Sequence, residues 1–378
     1  MRRVLMLVAI LIFLSGAANA QIGKSVGVAV GTPEDKAIAE IYAAPDSAQK
    51  ISLLQKFLAD YGSNPDLALL ANQLFLSVYQ TDKNYEKTIE YGEKVLAVDP
   101  GNFSAAVTMA RAAQEKGDTE QLFAYGQRAA DIVQRYKAQP PPGDMPASDW
   151  KQKQAETLKA TDADLGYLDY SMYSAAYAAQ DPKAKIALLE KFVAAFPQST
   201  YAESAEATVA FTYQQLQDTA KMQETAEKIL AKNPDNASML VLLSDYWSSS
   251  GKELDKAEAD AKKAIEVLGQ KKKPDGVTDQ QWAQQNDLQK GMALSSLGQV
   301  YVNRTKNLQA VEAFKQANPL LKQNDYMYGR NLYRLGFTLA KMRKTPEARA
   351  VLAQAIQVKS PFRTLAQQTL DKIGGGSQ

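Results

Sequence analysis

Residues 43–59 and 178–194 of this chain are nearly one segment written twice. Ala-Ala-Pro-Asp-Ser-Ala-Gln-Lys-Ile-Ser-Leu-Leu-Gln-Lys-Phe-Leu-Ala returns as Ala-Ala-Gln-Asp-Pro-Lys-Ala-Lys-Ile-Ala-Leu-Leu-Glu-Lys-Phe-Val-Ala, with ten of seventeen positions identical. The echo continues downstream: Asp99-Pro100-x-Asn102 returns as Asn233-Pro234-x-Asn236, and Gly117 as Gly251. A unit of this size cannot bury its apolar face alone, so copies must stack on one another. That single feature removes most compact globular folds from consideration.

The punctuation between repeats gives the secondary structure. Short breakers such as Asp-Ser, Asn-Pro and Lys-Gly-Asp separate stretches with helical period, and no run alternates as a strand would. Thr32-Pro33-Glu34-Asp35 opens the first helix with a capping hydroxyl, Pro at the first position and acids in the first turn. Helix pairs are predicted over 34–62, 66–99, 103–137, 148–196, 200–233, 237–269, 279–318 and 325–359, with a capping helix over 362–373. The expected fold is all-α, a continuous right-handed superhelix of about eight helix pairs over residues 34–373, with a disordered tail at 374–378.

A coarser order lies above the pairs. Loops at 138–147 and 269–278 each lead to a cap and a tryptophan, Trp150 and Trp282, and Leu-Gly follows fifteen residues after each, at Leu165-Gly166 and Leu297-Gly298. The blocks are therefore 34–137 and 148–269, each of three pairs, and 279–359, which holds two and is followed by the capping helix. The leading helices after Trp150 and Trp282 are either long and unbroken or broken near the glycine. Both tryptophans are expected to be buried, under their own loops or against the preceding pair, as structural pins and not ligand contacts.

The N-terminus reads as an address. Met1-Arg2-Arg3 precedes eleven unbroken apolar residues, Val4 to Leu14, and Ala18-x-Ala20 follows as a small-residue cleavage pattern. The apolar run is too short for a bilayer core of about 30 Å, which takes about 20 helical residues. Residues 1–20 are expected to be a signal peptide cut after Ala20, followed by a flexible leader at 21–33. No integral membrane segment and no lipid anchor are expected after cleavage, and the location is periplasmic or secreted. Removing Arg2 and Arg3 brings 44 cations to 42, against 42 acids.

That balance argues against a nucleic-acid partner, which a basic field would attract through counterion release. Histidine and cysteine are both absent. No disulfide, no usual zinc or haem site and no Ser-His or Cys-His nucleophile can be assembled. No cofactor, metal or catalytic residue is expected.

Leu294-x-x-Leu297-Gly298-x-x-Tyr301, followed by Ala310-x-x-x-Phe314-x-x-Ala317, resembles the tetratricopeptide repeat (TPR). Leu332-x-x-Leu335-Gly336 with Ala348-x-x-x-Leu352-x-x-Ala355 is a second match, and Ala257, Ala261 and Ala264 fit the second helix of a third. Departures are Leu for the opening Trp, Leu76 at a usually small position, and the early Pro319. Phe192 with Pro197-x-Ser199-x-Tyr201-Ala202 is similar to a variant found in bacterial envelope proteins of the outer-membrane-assembly and Tol-Pal coordinator kind.

The resemblance implies that first helices of successive pairs line a concave face where partners bind. The inward positions are Gln73, Ser77, Gln80, Arg111, Gln214, Asp245, Gln299, Asn303, Arg330 and Tyr333. Family members that hold a peptide C-terminus use Lys and Asn there, a set this face lacks. Tyr170, Tyr173 and Tyr177 share one helix face and form a possible aromatic patch, either as core or as a stacking surface. The resemblance implies a non-catalytic scaffold for a protein or peptide partner in the cell envelope. The alternative is a glycan or small-ligand binder, and an enzyme is a remote third.

Overall fold

The computed structural model describes residues 22–273 and 275–374, and among these every regular element is a helix. The expected signal segment, with its cut after Ala20, and residues 375–378 of the expected tail lie outside the described residues. Contacts divide the chain into two compact units, one running to Ala205 and one starting at Glu206.

The first unit holds α1 (Pro33–Ala43), α2 (Ser47–Tyr61), α3 (Pro65–Thr81), α4 (Tyr85–Val98), α5 (Phe103–Lys116), α6 (Thr119–Lys137), α7 (Ala147–Ala178) and α8 (Pro182–Ala195). The unit limit falls inside α9 (Ala202–Gln215). The second unit continues with α10 (Thr219–Lys232), α11 (Ala237–Ser250), α12 (Leu254–Gln270), α13 (Asp279–Trp282), α14 (Leu288–Asn303), α15 (Asn307–Leu321), α16 (Asp325–Lys341), α17 (Thr345–Gln357) and α18 (Arg363–Gly374). A π-helical turn, Ala283–Asp287, joins α13 to α14. Neighbours in sequence pack as antiparallel pairs, α3 with α4, α5 with α6, α11 with α12, α14 with α15 and α16 with α17.

The residues that start and stop each helix are polar groups placed to satisfy orphan backbone donors. Thr32 accepts from the Asp35 amide as expected, and Asp46, Asn84, Asn102, Asp118, Asp181 and Asn236 cap their helices in the same way. The turn inside the pairs is also repeated. Lys83, Gln217, Thr305 and Arg343 all sit at φ between 55° and 60°. The next residue's amide donates back to Tyr79, Tyr213, Tyr301 and Leu339 respectively, the helix C-terminal closure with a left-handed residue. In α5 and α11 the left-handed position is glycine, Gly117 and Gly251, which adopts it without strain.

Small residues let paired helices meet. A Cβ added to Gly298 of α14 would lie 2.5 Å from the Phe314 ring of α15, and one on Gly336 of α16 would lie 2.7 Å from Leu352 of α17. These are the two Leu-Gly positions on which the TPR resemblance rests, and each faces its expected partner. Gly166 behaves differently: nothing lies within 4 Å of its would-be Cβ, and it is exposed. Gly298→Ala is therefore expected to cost about 1–3 kcal/mol through overpacking against a rigid ring. Gly166→Ala should instead gain about 0.5–1 kcal/mol by removing a helix-interior glycine. Urea melts of the two variants check the opposite signs.

The structure resolves how the long leading helices run. α7 is unbroken for 32 residues, or about 48 Å at 1.5 Å per residue. Its first half lies along α6: Trp150 meets Tyr136 edge-on at 5.6 Å and donates from Nε1 to the Gln139 carbonyl at 3.0 Å. Gln154 donates to the Tyr136 carbonyl, and Thr157 accepts from the Tyr136 hydroxyl at 3.0 Å. The second half pairs with α8, where Phe192 faces Tyr173. Gly166 lies between these two halves, which is why it has no close neighbour. The later counterpart is continuous through Leu297-Gly298 but interrupted earlier, at the π turn.

Trp150 is buried as expected, against α6 of the preceding pair and on the Gln139 carbonyl of its own loop, and Trp282 is not. Trp282 is only half-buried at the end of the four-residue α13. The last turn of α12 reads Val267-Leu268-Gly269-Gln270, which offers no ring in the place that Tyr136 fills for Trp150.

The leader also departs from expectation at its start. Ile22 is buried, its carbonyl accepts from the Phe103 amide at 3.2 Å, and the Lys24 amide donates to Asp99 Oδ2 at 2.7 Å. Gly23 has φ 124°, with Asp99 Oδ2 only 2.8 Å from its would-be Cβ. The segment beyond is exposed, with Val30 in solvent.

Candidate partner-binding surface

In the second unit the first helices of successive pairs adjoin: α11 packs on α14, and α14 on α16. Four of the expected inward residues meet on the face these three helices share, and the fifth, Tyr333 of α16, turns toward Phe337 and Phe362. Asp245 of α11 receives both terminal nitrogens of Arg330 of α16, Nη1 to Oδ2 at 3.0 Å and Nη2 to Oδ1 at 2.9 Å. Ser296 of α14 donates to Asp245 Oδ1 at 3.2 Å. Asn303 donates to the Ser248 carbonyl at 2.8 Å and accepts from Gln299 at 3.0 Å. Tyr333 lies tilted against Phe337 at 5.9 Å and stacks on Phe362 at 6.2 Å.

The ion pair is nearly dry, with the Arg330 and Asp245 side chains only 10% and 13% exposed. Burial pushes the Asp245 carboxyl up, but the charges of Arg330 and Arg334 outweigh it and hold the group below the usual range. Arg334, one turn beyond Arg330, is the residue sequence reasoning missed. It donates to Ser249 Oγ at 3.0 Å and to Ser295 Oγ at 3.4 Å. Burial and the neighbouring Arg330 charge push it down to about 10, so it is cationic at neutral pH. Arg330 and Arg334 are four residues apart and so share a helix face. That phase relation was the available signal.

The first unit gives a looser arrangement. Arg111 of α5 pairs with Asp164 of α7 at 2.7 Å and lies 3.9 Å over the Tyr167 ring, whose hydroxyl meets Gln114. Gln73 on α3 is half-buried and Ser77 exposed, and Gln80 is exposed, its carbonyl receiving the Lys83 amide. Gln214, already in the second unit, is exposed near the end of α9.

The tyrosines of α7 divide between the two expected roles. Tyr173 is part of the packing, stacked on Tyr201 at 4.7 Å and bonded to Ser204. Tyr170 and Tyr177 are 59% and 56% exposed, so their rings are available on the surface. A separate apolar groove runs between α14 and α15, lined by Leu294, Leu297, Tyr301 and Leu308.

The acid nearest to neutrality lies away from the shared face. Burial pushes Asp260 of α12 up to about 6, with Glu227 adding and Lys256 opposing. Because the folded chain holds this proton more tightly than the unfolded one, stability falls as pH rises from about 4 to about 6. Partial solvent access reduces the effect, so Asp260→Asn should stabilise the chain by about 1 kcal/mol at pH 7–8 and by nothing near pH 4. Thermal melts across that range check it.

Among the described residues no group of acids is placed to hold a metal ion, and no helix is long and apolar enough to cross a membrane.

No protein-family model and no curated protein matches this sequence. Among solved structures, the APC/C hetero-tetramer Cut9–Hcn1 is similar at 13% identity over 90% of this chain, with TM-score 0.43. This chain spans 62% of that protein's length. A thermophilic TPR protein of Thermus thermophilus, TTC0263, matches at 18% identity over 54% of this chain and 98% of its own, with TM-score 0.35. The TPR domain of P58(IPK) matches at 10% identity over 91% and 98%, with TM-score 0.30. At these values none of them bears on what this chain binds. The TPR-type pairing of its helices stands on its own contacts, Gly298 against Phe314 and Gly336 against Leu352.

Proposed function

We propose that this protein is a non-catalytic scaffold of the cell envelope, periplasmic or secreted, that binds a protein or peptide on the shared face of α11, α14 and α16. The observation that carries the reading is the Asp245–Arg330 pair with Arg334 beside it. A buried ion pair is a poor way to gain stability, since desolvation offsets most of its attraction. Placed on a face lined by Ser, Gln, Asn and tyrosine, it fixes donors in position before a partner arrives. Reducing the ordering cost of a site is how such preorganisation strengthens binding.

The signal-like segment at 1–20 supports the envelope location. The repeated helix pairs occupy nearly all of residues 33–374, leaving no separate catalytic domain among the described residues.

The test is selection from a random peptide library on the intact protein, repeated with Arg334→Gln and Gln299→Ala. A peptide family enriched by the natural protein and lost with both variants is expected. Enrichment that survives both substitutions would move the site elsewhere.

A second reading, glycan binding, is favoured by the exposed rings of Tyr170 and Tyr177 beside the Tyr173–Tyr201 stack. Such rings offer apolar area to a sugar face. Binding on a glycan array that Tyr170→Ala and Tyr177→Ala abolish would establish it.

A further inference from the structure

The charges on the shared face are unequal, although the whole chain is nearly neutral. Along α11 the only charged side chain is Asp245, and along α14 it is Lys290. Along α16 there are Asp325, Arg330, Arg334 and Lys341. Asp325 lies in the first turn of α16, where the helix dipole accommodates it. Asp245 is taken by Arg330 through both oxygens. Arg334 feels the Asp245 charge but makes no hydrogen bond to it, and donates instead to the neutral hydroxyls of Ser249 and Ser295.

Helical phase puts Arg330, Arg334, Phe337 and Lys341 on one stripe. The Lys341 ammonium lies 5.0 Å from the Phe337 ring, which holds it along the same surface. Beside the cations runs a continuous aromatic row. Tyr326 meets Phe362 edge-on at 5.4 Å, Phe362 stacks on Tyr333, and Tyr333 lies tilted against Phe337. Tyr326 is 47% exposed, and the Arg330 guanidinium lies 6.0 Å from its ring.

We propose that this surface takes an extended acidic polypeptide segment, with a side-chain carboxylate on Arg334, further acids toward Lys341, and an aromatic or apolar residue on the Tyr326–Phe362–Tyr333 row. The inference rests on the partner-binding reading above and specifies the partner's chemistry. A carboxylate at Arg334 would replace hydroxyl acceptors with a charge-assisted pair, the stronger bond, in a partly desolvated place. The aromatic row supplies apolar area that a purely ionic surface would lack. A polynucleotide would also answer the positive charge, but the face is short and the chain as a whole carries no basic field.

The probe is a short fluorescein-labelled peptide alternating glutamate and serine around one tryptophan, followed by fluorescence anisotropy with the full chain. Its glutamine counterpart is the neutral control. The glutamate peptide should bind at least about tenfold more tightly than the glutamine one, and Arg334→Gln should remove about that factor. Lys341→Gln, an exposed substitution that leaves the packing alone, should weaken binding several-fold, and added salt should weaken it too.

Equal binding of the two peptides, or binding untouched by both substitutions, overturns the assignment. So does tighter binding of a single-stranded oligonucleotide than of the glutamate peptide. If the library selects a neutral peptide that still needs Arg334, the acidic class is wrong while the binding face stands. If it selects nothing dependent on Arg334, both fall.

Discussion

Asp245→Ala is expected to destabilise the second unit by about 3–5 kcal/mol, the cost of leaving a buried guanidinium without its counter-charge. Arg330 is almost fully enclosed, its Nε already has no partner, and both terminal nitrogens depend on this one carboxylate. Ser296 would lose an acceptor at the same time. The replacement of both members, Asp245→Leu with Arg330→Met, should recover most of the loss, because the penalty lies in the unpaired charge. Acid titration gives an independent check. With the folded carboxyl held below its ordinary range, its contribution is complete above about pH 4 and lost as pH falls further. Urea melts of the single and double variants, at pH 7 and at pH 3, report all three effects. A single variant as stable as the natural protein would mean that the pair is not closed in solution.

Trp150→Ala should cost about 3–5 kcal/mol in the first unit, as expected for deleting a buried ring that leaves a cavity. The indole is 8% exposed, contacts Tyr136 and satisfies the Gln139 carbonyl. It pins the first half of α7 to α6, so its loss should also free the loop at 138–146. Trp282→Ala is the internal comparison. That ring is half-buried and lacks an aromatic neighbour in the last turn of α12, so the same deletion should cost no more than about 1–2 kcal/mol. Guanidinium melts of both variants, with limited proteolysis of the loop, measure the contrast. Equal losses would contradict the different roles assigned to the two tryptophans.

The helix pairs were legible because their signals are local. A capping Asn or Asp, a left-handed turn residue and a Leu-Gly opposite a Phe each lie within a few tens of residues. What failed depended on which turn of a neighbour arrives where. Leu165-Gly166 reads like Leu297-Gly298, yet α8 meets α7 further along, at Tyr173, and Gly166 faces open space. Trp282 reads like Trp150, but the partner ring belongs to the preceding helix and is absent there.

The site was half legible for the same reason. Helical phase placed Asp245, Gln299, Asn303, Arg330 and Tyr333 on inward positions. That Asp245 would meet Arg330 across 85 residues, with Ser296 beneath, required the packing of three helices. Arg334 could have been found by continuing the same stripe one turn. The docking of Ile22 and Lys24 on the Asp99–Asn102 turn, across 75 residues, has no local signal beyond one glycine.

The central claim is that partners bind on the face shared by α11, α14 and α16. Photo-crosslinking tests it most directly, with a photoreactive phenylalanine analogue placed in turn at Gln299, on that face, and at Leu308, in the apolar groove between α14 and α15. The peptide selected from the library is then added and illuminated. Covalent capture from position 299, suppressed by Arg334→Gln, with none from position 308, is the expected result. Capture from position 308 alone would contradict the claim and place binding in the α14–α15 groove.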